Sequence, residues 1–129
     1  MKVLIADDSK LMRERIREAI SIFREVEIVS EAETGLQTSD FLNKHNPDLA
    51  ILDIRMPDRS GLEVLKEFRL TNKTTKIIML TNYAYDQYRD RSIENGADYF
   101  FSKSDDFDKL AAVVATMLKN KHSEKEPNL

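Results

Sequence analysis

Five polar residues stand where short apolar runs end. Asp7 and Asp8 follow VLIA, Asp53 follows LAIL, Thr81 closes KIIML, and Lys103 follows YFFS. Singly, each has an ordinary structural use: an aspartate after a strand caps a helix, threonine suits a strand, and lysine suits a surface. Together they form a set that could handle a phosphoryl group. Three carboxylates brought to one place repel one another, so they either retain a proton abnormally or attract a divalent cation. Hard oxygen ligands without histidine or thiol favour Mg2+ or Mn2+, and Mg2+ keeps waters that a substrate phosphate can replace. One aspartate is then free to react. Asp53 is the candidate nucleophile, forming an aspartyl phosphate, with Lys103 neutralising the transferring group and Thr81 donating a hydrogen bond to a phosphoryl oxygen. The following loop, RMPDRSG, carries Pro57 and Gly61, which set a turn and open a helix. A backbone carbonyl near Arg55 is expected to complete the metal sphere.

Such a set works only if one edge of one sheet collects it. The apolar runs Val3 to Asp7, Glu27 to Ser30, Leu49 to Asp53, Lys76 to Thr81 and Tyr99 to Ser102 read as strands, most of them near-continuously apolar, as in a parallel sheet covered on both faces. Between them, Met12, Ile16, Ala19, Ile20 and Phe23 recur at helical spacing, and Phe107, Leu110, Val114, Met117 and Leu118 do so near the end. Further helices are expected over Thr34 to His45, Gly61 to Leu70 and Tyr85 to Asn95, with Ser60 a start signal and Gly96 a stop. The helix over Tyr85 to Asn95 is weakly patterned, anchored mainly by Tyr85, Tyr88 and Ile93. Five βα units predict a doubly wound α/β (βα)5 sandwich with a five-stranded parallel sheet in the flavodoxin-like order 2-1-3-4-5. Ligands of such sheets sit outside the carboxyl ends of the strands, where the five polar residues lie. Residues 1–120 form the expected domain, and 121–129 a polar tail expected to fray.

Composition removes several rival chemistries. The chain has 129 residues, 41% hydrophobic and 33% charged, which suits one globular domain. No cysteine is present, so a disulfide framework, a thiolate zinc site and an iron–sulfur cluster are excluded, and His45 and His122 cannot hold a metal unaided. A net charge of -3 gives no pull onto phosphate backbones, so direct nucleic-acid binding is not expected. MKVLIADDSK is too short for a signal-peptide core, and no apolar run is long enough to span a bilayer. A cytoplasmic protein away from the membrane is the expectation.

The motifs ADDS at Asp7 and Asp8, LDIRMPDRSG at Asp53, MLTN at Thr81 and FFSKS at Lys103 resemble the receiver domain of two-component response regulators, over roughly residues 2 to 119. The resemblance implies that Asp53 accepts a phosphoryl group from a histidine kinase or phosphotransfer protein, that Asp7 and Asp8 form the acidic Mg2+ site, and that Lys103 contacts the phosphate. It makes Thr81 and Phe100 a switch pair, the ring swinging inward as the threonine moves; Phe101 reads as a buried strand aromatic. It also implies a downstream protein target on the face of helix 4, strand 5 and helix 5, and no enzymatic turnover beyond self-phosphorylation and self-dephosphorylation.

Three positions depart from the pattern. Ser104 follows the lysine where many relatives have proline, leaving that peptide's geometry open, and Asn82 is larger than the usual residue after the threonine. No helix-turn-helix follows, so a stand-alone, chemotaxis-regulator-like receiver is expected, the alternative being an excised receiver of a longer transcription regulator. An aspartyl phosphatase of the haloacid dehalogenase type would need an aspartate where Arg55 stands. A flavodoxin-like carrier would bring its phosphate against Asp7 and Asp8. Tyr83, Tyr85 and Tyr88 read equally as a docking surface or as the buried face of a helix.

Overall fold

The structure, a computed structural model, describes residues 1–125. Its elements alternate throughout: β1 (Lys2–Ala6), α1 (Lys10–Ile20), β2 (Glu27–Ala32), α2 (Gly35–His45), β3 (Leu49–Leu52), α3 (Gly61–Phe68), β4 (Lys76–Thr81), α4 (Asp86–Glu94), β5 (Tyr99–Ser102) and α5 (Lys109–Lys125). All five strands are parallel, in the order β2-β1-β3-β4-β5. This is the flavodoxin-like order expected from the sequence.

Alternation of side chains across each strand divides the core into two layers. Val3, Ile5, Leu49, Ile51, Ile78 and Leu80 share one apolar cluster with Ile16 and Ile20 of α1 and Leu110, Val114 and Leu118 of α5. Leu4, Ala50, Leu52, Ile77, Met79 and Phe100 share the other with Leu42 of α2 and Val64, Leu65 and Phe68 of α3. Every residue of β3 is buried, which is why its sequence shows no polar alternation.

Local chemistry sets the helix starts. Ser9, Thr34 and Ser60 accept hydrogen bonds from the backbone N–H of Met12, Gln37 and Glu63, so Ser60 opens α3 as expected. Gly96 follows the end of α4 at φ 100°, a conformation that favours glycine.

Several boundaries differ from the sequence reading. Helix α1 ends at Ile20, and Phe23 packs on the core from the following turn. Helix α5 begins at Lys109, two residues after Phe107. Strand β2 runs two residues past Ser30, to Ala32, with a register irregularity opposite Val3 and Leu4. The polar run starting at Lys119 hid the length of α5, which stays helical to Lys125; His122 on that extension bonds Glu25 at 2.8 Å. Of the expected tail, residues 126–129 lie outside those described.

Candidate functional site

Parallel register brings the acidic residues side by side. Ala6 pairs with Leu52, and just beyond that pair the Asp53 N–H donates to the Ala6 carbonyl at 3.0 Å, while the Asp7 N–H donates to Ala32 at 3.0 Å. Carboxylate oxygens of Asp7, Asp8 and Asp53 lie within 4.8 Å of one another. Asp7 and Asp53 are buried and Asp8 is exposed, so the cluster has one open side.

Lys103 reaches this cluster from the end of β5. Its N–H donates to the Thr81 carbonyl at 3.0 Å. Its Nζ lies 2.6 Å from Asp7 Oδ2 and 2.8 Å from Asp53 Oδ2. The remaining oxygens are held by backbone: Ser9 N–H donates to Asp7 Oδ1 at 2.9 Å and Ile54 N–H to Asp53 Oδ1 at 2.7 Å. The close Lys103–Asp7 contact was not legible in the sequence, which paired the lysine with the phosphoryl group alone.

Charge explains the protonation behaviour. Burial disfavours the ammonium of Lys103, but hydrogen bonds and charge from Asp53 and Asp7 outweigh it and hold its pKa above the ordinary value. Asp7 also moves upward: burial raises it most, Asp53 adds repulsion, and the bonds from Lys103 and Ser9 only partly offset these. The two shifts agree physically, because Lys103 has two anionic partners whereas Asp7 shares one cation with a like-charged neighbour. A hard divalent cation fits this donor set, which consists of oxygen ligands carrying more negative charge than one lysine neutralises.

Gly61 is required by close approach. A Cβ there would lie 2.0 Å from the Asp53 carbonyl oxygen, and its N–H donates to Ile54 at 2.7 Å. Thr81 is fully buried, its hydroxyl accepting from the Tyr83 N–H at 3.1 Å. No cis peptide occurs among the described residues, so the Lys103–Ser104 bond is trans.

Phe100 occupies the inward position in this structure. It is 6% exposed, in the apolar cluster of Met79, Ala97 and Tyr88, with the Arg89 guanidinium 5.3 Å from its ring centroid. Burial of a large apolar ring favours this inward position. Phe101 lies on the opposite sheet face, beside Tyr99.

The tyrosines divide between the two readings. Tyr85 is 58% exposed and Ile93 50% exposed, so neither anchors α4; Tyr88 packs against the core, and Ser92 is the helix's buried residue. Tyr83 lies under Arg55, whose guanidinium carbon is 3.9 Å from the ring centroid. Standing two residues past Asp53 and Thr81, both are placed by the sequence at the mouth of the site, but the stacking between these residues 28 positions apart had no sequence signal.

Residues 3–115 match the response regulator receiver domain. Chemotaxis protein CheY of Halobacterium salinarum is 34% identical over 79% of this chain and 83% of its own length. Transcriptional regulatory protein DesR of Bacillus subtilis is 30% identical over 94% of this chain, which spans 60% of DesR. Among solved structures, the receiver domain of the response regulator AraT from Geobacillus stearothermophilus is 33% identical, with a TM-score of 0.82 over 97% of this chain and 98% of that one. A DNA-binding response regulator of the LuxR family from Staphylococcus aureus is 29% identical, with a TM-score of 0.79 over 92% and 96%. The chain belongs to the response regulator receiver family. Its class is that of the two-component receivers, whose signalling depends on phosphorylation.

Proposed function

We propose that this chain is a phosphorylation-dependent switch that accepts its phosphoryl group on Asp53. The reading is supported chiefly by Lys103, held 2.8 Å from Asp53 and 2.6 Å from Asp7 at the edge where three carboxylates converge. A carboxylate oxygen of Asp53 attacks the phosphorus of a phosphohistidine on a histidine kinase or phosphotransfer protein. The new P–O bond forms as the P–N bond breaks, and the imidazole leaves with a proton from solvent. Lys103 offsets charge on the transferring oxygens, and the Thr81 hydroxyl turns from Tyr83 to bond one of them.

Asp7, Asp8, Asp53 and the Arg55 backbone carbonyl would hold Mg2+, or Mn2+ in its place. The cation supplies charge neutralisation at the phosphoryl oxygens. The chain's chemistry ends with gain and loss of its own phosphoryl group, in the cytoplasm, and its output goes to a protein target on the α4–β5–α5 face. The curated relatives include both a chemotaxis protein and a longer transcriptional regulator, so the chain acts either alone or as the receiver of a longer regulator.

The test is intact mass after incubation with phosphoramidate or acetyl phosphate, with and without Mg2+. One phosphoryl mass is expected on the parent in Mg2+ and none on Asp53→Asn. Equal labelling of that variant would move the acceptor elsewhere.

A further inference from the structure

The carboxylate of Asp7 can serve a cation only if the backbone carrying it is held, and Asp7 lies just past the end of β1. Its N–H is tied to β2 through Ala32, but its carbonyl has left the strand ladder. Arg13, one turn into α1, reaches back and donates from Nη1 to that carbonyl at 2.7 Å. The same guanidinium donates from Nε to Glu31 Oε1 of β2 at 3.2 Å. The other Glu31 oxygen pairs with Arg17, four residues further along α1. The Arg13 side chain is 12% exposed and that of Glu31 22%, so solvent screens this contact far less than an open surface pair.

We propose that Arg13 is a positioning residue for the cation site, fixing the Asp7 carbonyl and thereby the aim of the Asp7 carboxylate. The proposal rests on the reading that Asp7, Asp8 and Asp53 hold the cation. Three linkages converge on Asp7 besides Lys103: Ala32 on its N–H, Ser9 on its Oδ1, and Arg13 on its carbonyl. Arg13 is the one side chain among these three, and Glu31 sets its guanidinium plane, giving an oriented two-point contact. Helix α1 is held independently by buried Ile16 and Ile20, and Glu31 keeps Arg17 when Arg13 is replaced. Loss of Arg13 should therefore loosen Asp7 without unfolding α1.

The experiment titrates MgCl2 against the parent, Arg13→Met, Arg13→Lys and Glu31→Gln, reading the melting midpoint and, separately, the initial rate of phosphorylation by phosphoramidate. Removing an outer-shell partner weakens metal binding about 10- to 100-fold. Arg13→Met should raise the Mg2+ half-saturation by at least about tenfold in both readouts, with a metal-free midpoint and a rate at saturating Mg2+ close to the parent's. Arg13→Lys, which retains one donor for the carbonyl but not the fork that also meets Glu31, should recover only part of the loss. Glu31→Gln should fall between parent and Arg13→Met, and it decides the matter should Arg13→Met not fold. An unchanged half-saturation in Arg13→Met, or in Glu31→Gln where that variant decides, overturns the proposal. So does a lowered metal-free midpoint with no change in half-saturation, which is what a purely structural arginine produces. A parent that responds to Mg2+ while Arg13→Met titrates identically removes only the role of Arg13; a parent with no Mg2+ response removes the cation reading and this inference together.

Discussion

Burial and the neighbouring charge of Asp53 oppose ionisation of Asp7 inside the fold. Its pKa is raised above the ordinary 3.8, so the unfolded chain gives up this proton first as pH rises. Below that ordinary value the group costs nothing; as pH rises from there through the raised value, folding stability is lost. Asp7→Asn should therefore melt higher than the parent at pH 7 without Mg2+, with the difference shrinking as pH falls below the ordinary carboxylate value. Calorimetry across pH checks this, and a lower midpoint for the variant at pH 7 would mean that its bond to Lys103 dominates. Lys103 has the opposite sign: its raised pKa gives stability that is complete below its ordinary 10.5 and lost only as pH rises through the folded value. A second consequence belongs to Arg55 and Tyr83, two residues beyond Asp53 and Thr81, which stack on each other. Neither is an acid or amide suited to orienting an attacking water. The phosphoryl group on Asp53 should persist for minutes, and the combined Arg55→Asn and Tyr83→Glu variant should lose it about tenfold faster. Phosphate release after donor removal measures both rates.

Helix α4 is the element with least to hold it. Its residues bury only Ser92, its N-terminal residue Tyr85 makes no side-chain cap, and Ile93 is half exposed. Few buried apolar contacts mean a low free energy of local opening. The Tyr83 N–H is bonded to the Thr81 hydroxyl, so a phosphoryl oxygen that recruits this hydroxyl frees the start of the β4–α4 connection. Hydrogen exchange should therefore change over residues 81–101 when beryllium fluoride is bound as a phosphoryl mimic, while the amides of β1 and β3 stay protected. Because Phe100 is already buried, the motion expected is a shift of α4 and its Arg89 over a stationary ring, rather than entry of the ring. An exchange pattern unchanged there, with the mimic bound, would rule this route out.

At the scale of the molecule, folding itself concentrates the three carboxylates, so a ligand that binds only the folded chain must stabilise it. The melting midpoint should rise with Mg2+, by the equivalent of about 2.7 kcal/mol at a hundredfold excess over Kd. Asp8→Ala, which alters an exposed carboxylate, should flatten that response while leaving the metal-free fold intact. A full Mg2+ response in this variant would place the cation elsewhere. An open depression of 460 Å³ at the opposite edge of the sheet, lined by Met1, Asp48, Lys76 and Lys121 among others, includes none of the site residues and should be indifferent to Mg2+.

Much of this was legible in the sequence because strands buried on both faces must be apolar throughout, and polar residues can resume only where they end. That rule located Asp7, Asp8, Asp53 and Lys103 at one edge, and capping chemistry located Ser60. The termini of α1 and α5 were less legible, since an apolar residue such as Phe23 serves the core equally from a helix or from the turn after it. Beyond this convergence, the particular side-chain contacts between elements were not legible. Lys103 on Asp7, Arg13 on the Asp7 carbonyl and Arg55 on Tyr83 each join side chains whose meeting depends on strand order, register and rotamer. Periodicity along a chain records which face of an element is buried, while the partner met across that face is decided only when the sheet is assembled.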